Sequence, residues 1–244
     1  MSDVWVVRHA RIYVFKQKMD RFSRALLGKV FNAARPANLQ YFWEIGSDAG
    51  LNKQILTARC VALFFLFAWA NLTDDLVDGD GSYVEDPERY GPILLYLLRS
   101  LADQVAFEEG EVTTKAWSAL NQRFVVCAAL GLEEVQKKPW DQARWLSVAR
   151  GIAGAQHSAY LRLLWDGTAW ASMSEEIGED VGLLSQYYHD EQSEDPRLCT
   201  LSDADRFAVL MQMKERARVL WGRAKEAGIH GLCLLIESMG WEVK

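Results

Sequence analysis

The chain has 244 residues, 50% of them apolar and 25% charged, with a formal net charge of −6. Length and apolar content allow one sizeable core and exclude a disordered chain. The acidic balance excludes nucleic acid as the main partner, because a phosphate backbone needs a basic face.

Residues Val4–Val7 alternate weakly, as a strand would, and a helical pattern follows over 11–34. From Leu51 the apolar positions Leu51, Ile55, Ala58, Ala62, Phe65, Trp69, Leu72 and Leu76 keep helical spacing, and Gly79-Asp80-Gly81 marks the stop. Further helices are predicted over 88–109, 112–137, 140–165, 170–194 and 203–227, with a short one from 229. Pro36, Pro87, Pro92, Pro139 and Pro196 are expected between helices, where the missing N–H does least harm. The expectation is all-α, a single-domain bundle of long helices over 1–244. Cys60, Cys127, Cys199 and Cys233 form no C-x-x-C pair, which points to buried, reduced thiols and a cytoplasmic setting. The longest uncharged run, residues 60–73, is shorter than the roughly 20 residues a bilayer span needs. Residues 1–20 lack the apolar core and cleavage site of a signal peptide.

The apolar helix from Leu51 ends in Asp74-Asp75-Leu76-Val77-Asp78. Asp is a poor helix former and like charges one turn apart repel, so the run is costly unless something binds it. Carboxylates at i and i+4 lie on one face, about 6 Å apart along the axis, and suit a hard divalent cation such as Mg²⁺. The negative end of the helix dipole also favours a cation. Asn71 and Phe67 lie on the same face, one and two turns deeper. The competing reading is an acidic helix end that is merely solvated. A second apolar run, from Gly182, ends in Asp190, Glu191 and Glu194 before Pro196, repeating the i, i+1, i+4 spacing. Two such ends facing each other would hold a metal cluster.

With these motifs the chain resembles the class I isoprenoid synthase superfamily, in particular the trans-prenyl diphosphate synthases, over roughly residues 25–200. Asp74-Asp75-x-x-Asp78 is similar to the family's first aspartate-rich motif, and Gly182 with Gln186 to the Gly-x-x-x-Gln before the second. Arg35-Pro36 resembles the end of an early basic segment, 38 positions ahead of the first motif (74 − 36 = 38). Asn32 and Ala33 stand where that segment has a basic pair, and the arginine pair after the first motif is absent, Arg89 being the first arginine there. Both pairs serve isopentenyl diphosphate in chain-elongating members. Through Gln186 the second motif reads His189-Asp190-x-x-Ser193, similar to the start of the terpene cyclase metal motif, but Arg197 stands where that motif closes with Glu. Shifted by one residue it reads Asp190-Glu191-x-x-Glu194, and both frames stay open.

The resemblance implies helices around a central apolar cavity, with Mg²⁺ (three ions, or Mn²⁺ in their place) gripping an allylic prenyl diphosphate and promoting its ionisation. It implies Asp74, Asp75, Asp78 and Asp190 as catalytic residues, with metal ligands from Asp74, Asp78, Asp190, Glu191, Ser193 and Glu194. Substrate contacts would come from Arg35, Phe67, Trp69, Asn71, Arg150, Gln156 and Gln186, and a homodimer is the implied assembly. Trp69, five positions before Asp74, is either the pocket floor that limits chain length or a helix-packing residue. Prenyl transfer to an acceptor leads. A terpene cyclase, a non-catalytic prenyl-binding subunit and an all-α pyrophosphohydrolase are the alternatives. His157 reads as a structural histidine, and Arg216 or Arg223 as an outside candidate for a C-terminal lid.

Overall fold

A computed structural model describes residues 4–34, 39–134 and 139–243, and among them the regular structure is entirely helical. The helices are α1 (Val4–Lys16), α2 (Arg21–Ala33), α3 (Leu39–Asp48), α4 (Lys53–Asp78), α5 (Pro87–Glu108) and α6 (Thr114–Glu134), followed by α7 (Gln142–Ala149), α8 (Ala155–Leu164), α9 (Ser174–Gln192), α10 (Pro196–Cys199), α11 (Asp203–Ala227) and α12 (His230–Ser238). The strand-like Val4–Val7 is the first turn of α1. The helix predicted over 11–34 is two helices. Asp20 adopts an extended backbone and its carboxylate accepts from Ser23 N (2.9 Å), so α2 starts anew at Arg21. Pro92 lies inside α5 rather than between helices, and gives up one intrahelical hydrogen bond near the helix start.

The chain divides into two compact units, Met1–Trp43 with Leu51–Val112, and Glu44–Gly50 with Thr113–Lys244. α4 is the core of the first. Asn52 caps it by accepting from Ile55 N (2.9 Å), and its side chains are buried almost continuously from Leu56 to Leu66, then at Ala68 and Leu72. Phe31 of α2 meets Phe64 edge-on at 5.2 Å, and Tyr13 of α1 lies 6.1 Å from Phe65. Arg59 is only 3% exposed, and its guanidinium donates to Gly110 O at the end of α5 (2.8 Å), so its charge finds a partner where α5 leaves carbonyls open. α4 packs closely on α5: a Cβ added at Gly91 would sit 2.7 Å from Leu76 Cδ1. By length and composition α4, with a mean hydropathy of 1.8 over its apolar window, is able to cross a bilayer, contrary to the expectation from the uncharged run. That run excluded Arg59, which the helix tolerates; 67% of the window is covered by the protein itself, as in a core helix.

In the second unit the helix predicted over 140–165 is continuous in direction but changes pitch. A π-helical turn, Arg150–Gly154, separates α7 from α8. α9 lies against this turn and α8 at backbone contact. A Cβ at Gly178 would overlap the Ser158 backbone, and one at Gly182 would overlap the Ala153 carbonyl. Ser158 Oγ donates to Glu175 O (2.9 Å) across the same contact. Arg216 and Arg223 pair with Asp180 and Glu176, fixing α11 along α9. All four cysteines are free, but Cys60 alone is buried and Cys199 is exposed.

The close approach predicts opposite signs for one substitution at two helical glycines. Propensity alone favours Gly→Ala in a helix by roughly 1 kcal/mol. Gly222 of α11 has nothing within 4 Å of a new Cβ, so Gly222→Ala should stabilise by about 0.5–1 kcal/mol. Gly182→Ala should instead destabilise by about 1–3 kcal/mol, because backbone atoms must move apart. Urea unfolding of both variants measures this; a Gly182→Ala chain as stable as wild type would contradict the packing.

Candidate active site

The end of α4 emerges from the core after Leu72. Gly79 takes the left-handed conformation (φ 82°), and Gly79 N–H and Asp80 N–H both donate to Asp75 O, which ends the helix where the Gly-Asp-Gly signal places it. At about 100° per residue, Phe67, Asn71, Asp74 and Asp78 share one flank within about 60°. Along that flank exposure rises: Phe67 and Asn71 are half-buried, Asp74 and Asp78 exposed. Asp75 points elsewhere. Its Oδ2 accepts from the Tyr83 hydroxyl at 2.5 Å, and burial, reinforced by this carboxylate, pushes the Tyr83 phenol well above its usual range. Asp75 therefore braces the turn after α4, while Asp74 and Asp78 form the outward pair. Trp69 lies about 140° around the helix from Asp74, on the flank of Leu76, which packs on Gly91 of α5.

The end of α9 differs. Asp190 is fully buried. Its Oδ2 accepts from Trp145 Nε1 (2.9 Å), and its Oδ1 from Gln186 Nε2 (2.6 Å) and Arg197 Nη2 (3.1 Å). His189 Nδ1 stands 3.7 Å away, and the neighbouring Asp190 carboxylate raises the imidazole pKa. The helix stops at Gln192, so the expected i, i+1, i+4 set is not a helical face: Glu194 lies beyond the end with a left-handed backbone (φ 52°). Ser193 Oγ donates to His189 O (2.8 Å). Glu191 and Glu194 are exposed, Glu191 accepting a long bond from Tyr187 OH (3.4 Å). Burial and then Glu191 push the Tyr187 phenol up to about 12.

The other expected residues are dispersed. Arg150 Nε pairs with Glu179 (2.7 Å) and lines a cavity of about 530 Å³ with Arg123, Ser147 and Ser158. Gln156 is half-buried on α8. His157 bonds through Nδ1 to Ala153 O (2.9 Å), and burial lowers its pKa. Arg35 lies outside the described residues. Phe64 and Tyr187 are core aromatics, the latter 6.0 Å from Trp145 and 5.5 Å from Trp241, whereas Tyr188 is exposed. Arg216 and Arg223, the lid candidates, pair with Asp180 and Glu176 of α9. Sequence reasoning missed Tyr83 and Trp145, which no spacing rule connects to an acidic motif; for Arg197 the signal was its mismatch with the cyclase pattern.

No group of three or more His, Cys, Asp or Glu side chains close enough to hold a metal ion occurs among the described residues. The donor chemistry at α4 still fits Mg²⁺. This ion is commonly held by one or two carboxylates, with water and substrate phosphate completing its octahedron. Asp74 and Asp78 supply that number on one exposed flank.

No family model matches the sequence, and no curated protein sequence matches it. Solved structures do. The chain is similar to an isoprenoid synthase family member from Thermotoga neapolitana, with a TM-score of 0.72 and 14% identity over 96% of this chain and 97% of that one. It is similar to a geranyltranstransferase from Thermotoga maritima (TM-score 0.71, 15% identity, 97% and 95% covered). A geranyltransferase from Legionella pneumophila gives a TM-score of 0.74 at 11% identity, with 97% and 94% covered. Likeness at these identities establishes the fold, and the chain has the isoprenoid synthase fold.

Proposed function

We propose that the protein is a Mg²⁺-dependent prenyltransferase that ionises an allylic prenyl diphosphate and passes the prenyl group to an acceptor. The observation that carries the reading is the Asp74/Asp78 pair on the exposed last turns of α4, above Asn71 and Phe67, in a fold shared with a geranyltranstransferase. Asp74 and Asp78 hold the metal in this reading. When bound, Mg²⁺ supplies Lewis-acid neutralisation of the departing diphosphate. Asn71 offers an amide to the substrate, and the Phe67 ring presents a cation-stabilising face, worth about 0.5–2 kcal/mol. Tyr83 holds Asp75, and with it the turn that sets the direction of Asp78. A homodimer and a cytoplasmic setting belong to the same proposal; free thiols at all four cysteines agree with the setting.

Incubation with geranyl, farnesyl and geranylgeranyl diphosphates and Mg²⁺, with and without isopentenyl diphosphate, tests the reading through its products. Transfer to an added acceptor supports it. Cyclic hydrocarbons or alcohols from the substrate alone would assign a cyclase instead, and absence of turnover with retained substrate binding would assign a prenyl-binding subunit.

Two variants test the division of labour on α4. Trp69→Ala should lower the Tm by several degrees and leave the chain length of accepted substrates unchanged, because Trp69 shares the α5 flank with Leu76. A shift to longer substrates would make it the pocket floor. Tyr83→Phe removes only the hydroxyl and should raise the Mg²⁺ concentration needed for half-maximal turnover several-fold while the Tm moves little. An unchanged Mg²⁺ dependence would mean that the Asp75 brace does not reach the metal pair.

A further inference from the structure

We infer that Asp190 is the buried anion of a structural charge cluster with Arg197 as its resident cation, and that it binds no metal. The cluster joins three helices of the second unit. Trp145 reaches in from α7, Gln186 and Asp190 belong to α9, and Arg197 belongs to α10. Arg197 also grips Asp195, through Nε to Oδ1 (2.9 Å) and Nη2 to Oδ2 (2.8 Å). Asp195 in turn caps α10 by accepting from Arg197 N (2.8 Å). One guanidinium thus stands between two carboxylates at the turn that follows α9.

Each of these facts counts against a metal at Asp190. A carboxylate offers about four lone-pair sites. Three are occupied by Trp145, Gln186 and Arg197, and His189 lies against Oδ1. The recess bounded by Trp140, Trp145, Gln186, Asp190 and Arg197 is about 10 Å³, the room of one water. An octahedral Mg²⁺ with its remaining waters and a diphosphate needs far more. Any cation entering would also meet the Arg197 charge at close range, inside the protein where screening is weak. A buried carboxylate with three charge-assisted or neutral donors is satisfied as it stands, and the arrangement explains why Asp190 tolerates complete burial. The exposed Glu191 and Glu194 are outside the cluster.

The inference stands on α7, α9 and α10 alone and survives or fails separately from the α4 reading. Denaturant unfolding and Mn²⁺ binding, the latter followed by the paramagnetic signal of free Mn²⁺ with inorganic diphosphate present, test it on the full chain. Asp190→Asn and Arg197→Gln should each lower the folding equilibrium constant at least about tenfold. The double variant should lose clearly less than the product of the two, since the charges answer each other. Mn²⁺ affinity of Asp190→Asn should stay within about twofold of wild type. Trp145→Phe keeps a ring in the core and removes the indole donor, so it gives the same two readouts if Asp190→Asn fails to fold. Multiplicative stability losses, or a tenfold fall in Mn²⁺ affinity in Asp190→Asn or Trp145→Phe, would overturn the inference. A wild-type chain that binds no Mn²⁺ contradicts the α4 reading, while the coupling between Asp190 and Arg197 still decides the cluster.

Discussion

Burial of α4 is the constraint on which the candidate site depends. From Leu56 to Leu72 the helix is enclosed on nearly all sides, so its rotation about its own axis is set by many close-packed side chains. Leu76 against Gly91 carries that restraint into the last turns, and the left-handed Gly79 ends the helix sharply. Two carboxylates one turn apart gain a fixed direction from this. Their cost in propensity and mutual repulsion is accepted at the exposed C-terminal end of the helix. Local rules broken in this way are where function is to be sought.

The two acidic helix ends look alike as sequence and differ in physics. At α4 the outer carboxylates are exposed, and Asp75 braces the following turn. At α9 the central carboxylate is enclosed and answered by an internal guanidinium. Spacing alone does not separate a ligand from an anchor; burial and the identity of the donors do. Arg197, the mismatch with the cyclase reading of the second motif, is the residue that answers Asp190.

Much of the helical order was legible because burial imposes a 3.6-residue period, and α4, α5, α9 and α11 carry it over many turns. The break between α1 and α2 was also written in the chain, as Asp20 followed three residues on by Ser23, but apolar periodicity hid it. α3 is too short for periodicity to announce it. The π-helical turn leaves no residue signature, since it is a shift of backbone pairing. Gly182 was noticed as part of a motif, yet its reason, a helix crossing with no room for a methyl group, exists only in three dimensions. That Asp74 and Asp78 share one flank was legible, because sequence-local geometry suffices there. It was not legible that Asp190 is buried, because the donors that enclose it, Trp145 and Arg197, lie 45 positions before it and 7 after.

The most direct test of the central claim is Mg²⁺-dependent release of inorganic diphosphate from farnesyl diphosphate, compared between wild type, Asp74→Asn and Asp78→Asn. Loss of either carboxylate removes part of an interaction that supplies several kcal/mol to the departing charge, so each variant should be slowed at least about a hundredfold with its Tm preserved. Release at the wild-type rate from either variant, or release that does not depend on Mg²⁺, would contradict the account.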